Sequence, residues 1–199
     1  MPDDRQLNRR RFFIEGLREL LTPLSEKLEK AASDLGALDS LGTSEPPPKW
    51  LRPPGALPES AFLETCSRCA ACVRVCPVQC IKIDSTAARG GGAPFIDADI
   101  TACLVCDGLY CMHACPTNAL QITPLARIDM VTAVWHPQSC VRGQGEDCTI
   151  CIDHCPIGTH AIELKGTDVH VHPTGCIGCG VCQHDCPTHP KSIVVIPSR

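Results

Sequence analysis

The stretch CSRCAACVRVCP, residues 66–77, decides the fold. Its cysteines at 66, 69, 72 and 76 follow the spacing C-x2-C-x2-C-x3-C, and a proline follows the last. Three thiolates two residues apart wrap around one metal centre, while a fourth, at a Cys-Pro turn, leaves for another. The run recurs three times. CIGCGVCQHDCP (176–187) matches it at every position, and CLVCDGLYCMHACP (103–116) has two extra residues before its third cysteine. CVRGQGEDCTICIDHCP (140–156) opens with C-x7-C instead of C-x2-C. The first cysteines stand at 66, 103, 140 and 176, in steps of 37, 37 and 36 residues. So regular a period marks an internal repeat and places Cys140 in register as the first ligand of its motif. Gly143 and Gly145 permit the tight excursion that the inserted VRGQGED requires.

Composition agrees with metal ligation. The chain has 199 residues and 17 cysteines, but only four Phe, two Trp and one Tyr. So few large aromatics bury little area, and something besides an apolar core must stabilise the fold. An odd cysteine count in C-x2-C steps fits metal sites better than long-range disulfides. The net charge of −4 gives no concentrated basic face for nucleic acid. No apolar run approaches the roughly 20 residues that span a bilayer.

The flanks of the motifs repeat as well. PFIDADITAC, TAVWHPQSC and VHVHPTGC lead into the later motifs as β-prone stretches. After each Cys-Pro comes an apolar alternation at 80–83, 119–122, 161–164 and 192–195, the pattern of a strand with one buried face. Each unit reads as strand, ligand loop, short helix entered through the last cysteine, and returning strand. The expected fold is α+β: two bacterial-type ferredoxin modules (βαββαβ), with repeats at about 59–86, 94–125, 131–166 and 167–197 of a 59–199 region. Whether neighbouring motifs pair or one module is inserted in the other is open at this level.

A [4Fe–4S] cube takes four thiolates, and this run supplies three locally and one from its partner motif. Zinc knuckles also use C-x2-C pairs, but not three-cysteine loops with a distant Cys-Pro repeated four times. The expected cofactors are four [4Fe–4S] clusters. The expected iron ligands are Cys66, Cys69, Cys72, Cys76, Cys103, Cys106, Cys111, Cys115, Cys140, Cys148, Cys151, Cys155, Cys176, Cys179, Cys182 and Cys186. Cys80 aligns with Ala119, Ala161 and Ser192 and reads as a small core residue. The histidines, including His154, His170, His172 and His184, read as surface residues. No dinucleotide fingerprint or P-loop is present, so no catalytic residue is expected and the chain reads as an electron carrier. Two other readings are an accessory ferredoxin supplying electrons for maturation of another redox enzyme, and a protein that uses the cubes only as staples.

Ahead of the motifs, residues 1–42 carry an amphipathic helical stripe from Ile14 to Leu35, broken at Pro23, with Thr22 as N-cap. Residues 43–58 hold six prolines and read as an extended linker. NRRRFF resembles the start of a twin-arginine export signal. The charges at Glu15, Arg18, Glu19, Glu26 and Lys27 interrupt the apolar stretch that such a signal uses. The expectation is therefore a cytoplasmic protein, with periplasmic export as the alternative.

LRPPGAL (51–57), the order of the four spacings, the C-x7-C opening and the basic RRRFF together resemble the NapG/MauM family of ferredoxin-type proteins over roughly residues 51–196. The resemblance implies a four-cluster electron-transfer protein working with redox partners, a membrane quinol-oxidising subunit being one candidate. It also implies a pairing of the first motif with the fourth and the second with the third. Cys186 would then join Cys66, Cys69 and Cys72, and Cys76 would join Cys176, Cys179 and Cys182. Cys155 would join Cys103, Cys106 and Cys111, and Cys115 would join Cys140, Cys148 and Cys151.

Overall fold

Three of the four apolar alternations that follow a Cys-Pro become strands: β1 (Ile81–Ile83), β4 (Ile162–Lys165) and β6 (Ile193–Ile196). The stretches leading into the later motifs become β2 (Pro94–Ile96), β3 (Thr132–Trp135) and β5 (Asp168–Val171). This computed structural model describes residues 50–83, 85–86 and 91–196; the expected helical segment 1–42 and residues 43–49 lie outside them. Among the described residues all strand pairing is antiparallel. β1 pairs with β2, Ile81 opposite Ile96, and β4 with β5, Ile162 opposite Val171. β3 pairs with β6, Thr132 opposite Ile196. Because β3 precedes the third motif and β6 follows the fourth, this pair closes residues 132–196 around the β4–β5 hairpin.

The first half repeats that plan with a weaker outer pair. Its hairpin is β1–β2, and its outer partners are Leu51–Leu57 and Ala119–Gln121. They share a single bridge, Ala56 with Leu120, flanked by Leu57 N–H to Ala119 O (3.0 Å) and Gln121 N–H to Gly55 O (2.7 Å). The strand expected over 119–122 is thus reduced to a bridge. Pro53 and Pro54 donate no N–H, and Gly55, at φ +76°, turns the chain out of register.

Residues 51–57, part of the expected linker, are core. Pro53 and Pro54 are fully buried, and Ile96 N–H bonds Leu51 O at 2.7 Å. Arg52 is 6 % exposed. Its Nε and Nη2 grip the Glu59 carboxylate at 2.9 and 2.6 Å, its Nη1 donates to Pro94 O at 2.9 Å, and its guanidinium lies 5.1 Å from the Phe62 ring centroid. Breaking such a pair leaves polar groups without partners, although Glu59 is partly exposed and regains water. Arg52→Met is expected to destabilise the fold by about 2–3 kcal/mol, measurable as a lower thermal midpoint under anaerobic conditions.

The helices are short: α1 (Glu59–Thr65), α2 (Ala71–Val75), α3 (Tyr110–His113), α4 (Ile150–Asp153) and α5 (Val181–Asp185). α2 packs on α3 and α4 on α5. The expectation of a helix entered through the last cysteine is corrected here: each of these four helices carries the third cysteine of its motif and ends at or just before the Cys-Pro. A residue before proline is driven out of the helical region, and Cys76 (φ −72°, ψ 114°) and Cys186 (φ −60°, ψ 125°) are extended. One apolar cluster spans both halves, with Phe62, Ile81, Ile96, Leu120, Val131, Ile177 and Val181. A second fills the β3–β6 unit with Ala133, Ile162, Val169 and Ile193.

Candidate metal centres

The ligand loops share a backbone signature. The second residue after the first cysteine is left-handed in three motifs: Arg68 (φ 57°), Val105 (51°) and Gly178 (73°). So is the residue that opens the helix carrying the third cysteine: Ala70 (58°), Leu109 (39°) and Gly180 (84°). Left-handed residues in a loop turn successive N–H groups inward to make an anion-binding concavity. Here the N–H groups of Ala71, Val73, Val105, Met112 and Val181 donate to Cys69, Cys72, Cys103, Cys111 and Cys179. The two-residue insertion of the second motif is absorbed at Asp107–Gly108, leaving Leu109 in the place of Ala70. A left-handed residue with a side chain costs about 1–2 kcal/mol. Ala70→Gly, which removes only a methyl group, is expected to stabilise the loaded protein by about 0.5–1 kcal/mol and to slow loss of visible absorbance on anaerobic heating.

The third motif is built differently. Thr149 opens its helix at φ −124°, and the insertion folds into a 3-10 turn over Val141–Gln144, ended by Gly145 at φ +90°. Arg142 pins it down, donating to Thr167 O and Cys148 O, both at 3.2 Å. Val141 and Arg142 thereby wall the space beside Cys140. Cys140 is buried and in place with its motif.

Four cavities result, each lined by three cysteines of one motif and the Cys-Pro cysteine of its neighbour. The first holds Cys66, Cys69 and Cys72 with Cys115. In the second, Cys76 joins Cys103, Cys106 and Cys111. The third gathers Cys140, Cys148 and Cys151 with Cys186, and the fourth Cys176, Cys179 and Cys182 with Cys155. Their volumes, open mouths included, are about 320, 380, 330 and 360 Å³, alike enough for one kind of group. All sixteen expected residues are brought together. The allocation implied by the resemblance is corrected: the first motif exchanges its Cys-Pro cysteine with the second, and the third with the fourth. The cause lies in the β3–β6 pair and the α2–α3 and α4–α5 contacts, which join sequence neighbours.

The thiols report crowding and burial. Burial, then the neighbouring cysteines of the same cavity, push Cys72 and Cys151 up to about 11 and Cys111 and Cys179 up to about 12. Cys182 is raised further for the same reasons. Burial and crowding disfavour bare thiolates in these sets, and a bound cation that deprotonates thiols outright would offset that cost. The Trp135 indole N–H agrees: it is buried, meets no oxygen or nitrogen acceptor, and faces the Cys140 sulfur without closing a full hydrogen bond. An added sulfur-rich group would satisfy it.

The cavities stand in an order that differs from their order in the chain. Cys111 of the second feels Cys72 of the first. Cys179 of the fourth feels Cys103 of the second, and Cys103 N–H donates to Cys179 O at 3.0 Å. Cys182 of the fourth feels Cys151 of the third. The succession is first, second, fourth, third.

The histidines line none of the four cavities. His154 and His184 both place Nδ1 2.7 Å from the Asp185 carboxylate. His172 bonds Glu163 at 3.0 Å and meets the exposed His170 ring edge-on; the ligand atoms of the three lie within 4.8 Å of one another, but Glu163 is also paired with Lys165. Sequence reading missed two other residues. Cys80 is buried, as a core residue would be, yet its Sγ is 3.5 Å from Cys76 Sγ. Ser192 Oγ is 3.1 Å from Cys186 Sγ.

A family described as a 4Fe-4S dicluster domain matches residues 65–119, the span over which the first two motifs exchange cysteines. The chain is 38% identical to the methylamine utilization ferredoxin-type protein MauM of Methylorubrum extorquens over 161 residues, covering 75% of this chain and 73% of that protein. It is 36% identical to the ferredoxin-type protein NapG of Escherichia coli over 163 residues, covering 74% of this chain and 70% of that one. The chain belongs to the MauM/NapG family of ferredoxin-type proteins. MauM of Methylobacillus flagellatus is similar to the same degree, 38% over 159 residues, covering 74% of this chain and 68% of its own length. Membership fixes the coarse description: a ferredoxin-type 4Fe–4S domain of mixed α and β structure, related to ferredoxin-type electron carriers. Among the described residues no helix is long and apolar enough to cross a membrane.

Proposed function

We propose that the chain is an electron-transfer protein holding four [4Fe–4S] clusters in two βαββαβ modules, relaying single electrons within a membrane-associated or multi-subunit redox system. One observation carries this reading: four cavities of similar size, each offering four cysteine sulfurs in a three-plus-one set. A bound [4Fe–4S] group supplies a one-electron couple. The chain's part is to present the sixteen thiolates, turn backbone N–H groups toward them, and exclude water from their apolar surroundings. The succession first, second, fourth, third gives a relay built on these cavities its path. The partners proposed are redox proteins, a quinol-oxidising membrane subunit among them.

Anaerobic purification is the test. The protein should carry about sixteen iron and sixteen sulfide per chain, four for each cube, and reduce reversibly with dithionite to give EPR signals. Zinc in place of iron, or iron with no reducible signal, would remove the electron-transfer reading.

A further inference from the structure

One position recurs in all four cavities, the small residue after the Cys-Pro turn. It is Cys80 in the second cavity, Ala119 in the first, Ala161 in the fourth and Ser192 in the third. Its surroundings repeat in the second and third cavities. Cys80 Sγ lies 3.5 Å from the visiting ligand, Cys76, and also faces Cys103, the first cysteine of the host motif. Ser192 Oγ lies 3.1 Å from the visiting ligand, Cys186, and also faces Cys140, the first cysteine of its host motif. If the ligands are thiolates, they only accept, so Cys80 Sγ–H and Ser192 Oγ–H are the donors. The third cavity has more: Thr188 Oγ1 lies 3.2 Å from Cys186 Sγ, and the Trp135 N–H is held against Cys140. In the first cavity Cys115 Sγ accepts the Leu120 backbone N–H at 3.4 Å, but its side-chain contact is the longer one with Thr117 Oγ1, 3.8 Å. At the corresponding place the fourth has Ile157, which donates nothing.

We propose that Cys80 and Ser192, with Trp135, set the reduction potentials of the second and third cavities above those of the first and fourth. Adding an electron to a bound cluster increases the negative charge on its sulfurs, and a hydrogen aimed at a ligand sulfur stabilises that charge. No bond is made or broken, and the donor keeps its proton. In the succession first, second, fourth, third, the raised sites alternate with the unraised ones. The inference rests on the four-cluster reading.

The experiment is an EPR-monitored redox titration of the loaded full-length chain and its variants. Ser192→Ala should lower one of four midpoints by about tenfold in the reduction equilibrium, 59 mV for one electron. Cys80→Ala should lower a different one, and Trp135→Phe the same one as Ser192→Ala. Ser192→Thr, which keeps the hydroxyl, should restore the wild-type value. Ala161→Ser supplies the reciprocal: it should raise a midpoint that none of the other variants touches. Four reducible clusters whose midpoints stay put in Ser192→Ala, Cys80→Ala and Ala161→Ser would overturn the inference and leave the electron-transfer reading standing. If Ser192→Ala and Cys80→Ala lose iron, Ala161→Ser decides alone. A wild-type protein without reducible clusters would instead sink the electron-transfer reading itself.

Discussion

The double variant Cys66→Ala/Cys115→Ala is expected to lose one four-iron group, the same loss as either single variant. Both residues belong to the first cavity, and removing a second ligand from a broken site removes nothing more. Cys66→Ala/Cys186→Ala should lose two, because Cys186 completes the third cavity. Mössbauer spectra or EPR spin counts of intact four-iron groups read the difference directly: three remain in the first double variant and two in the second. The allocation implied by family resemblance predicts the reverse, since there Cys186 would complete the Cys66 set and Cys115 the Cys140 set. The two doubles therefore exchange outcomes between the alternatives, and neither needs a potential or an activity.

Gly178→Ala is expected to have the next largest effect. A Cβ at 178 would lie 2.3 Å from Val131 O and 2.5 Å from Val131 N, both backbone atoms with little room to move. The left-handed φ alone does not forbid a side chain, since Arg68 and Val105 hold the equivalent place in the first two motifs with φ of 57° and 51°. What demands glycine at 178 is the approach of residues 129–131, where Met130 N–H donates to Ile177 O at 3.1 Å. Overpacking and backbone strain each cost about 1–3 kcal/mol, so Gly178→Ala should destabilise by about 2–5 kcal/mol. Anaerobic guanidinium unfolding followed by circular dichroism measures it. An effect below about 1 kcal/mol would mean that the loop and Val131 separate freely.

Sequence made the gathered cysteines legible because such a set is a spacing, and the 37-residue period carried even the displaced Cys140. The strands at 94–96, 132–135, 162–165 and 193–196 were legible for a similar reason: an apolar alternation is local. Allocation of the Cys-Pro cysteines was not, because the same four spacings serve any pairing. It is settled by which strands close on each other, as Thr132 does on Ile196, a contact between residues far apart in the chain. Leu51–Leu57 misled because proline-rich stretches usually stay outside; the pocket for Arg52 is formed by Glu59, Phe62 and Pro94, which spacing does not relate to it. Cys80 and Ser192 were read as filler because size was the only property their column shared. Their second role is a matter of what a hydroxyl or thiol faces once folded.

The exchange of cysteines between neighbouring motifs also sets a timetable for synthesis. A nascent chain that has emerged as far as Cys76 displays three thiols of the first set and a fourth that belongs elsewhere. The second set is complete only at Cys111 and the first at Cys115; the fourth is complete at Cys182 and the third at Cys186. On the four-cluster proposal, complete cysteine sets would therefore emerge in two bursts, each within four residues of elongation. Between the bursts the emerged chain carries both cysteine sets of its first half and no complete set of its second.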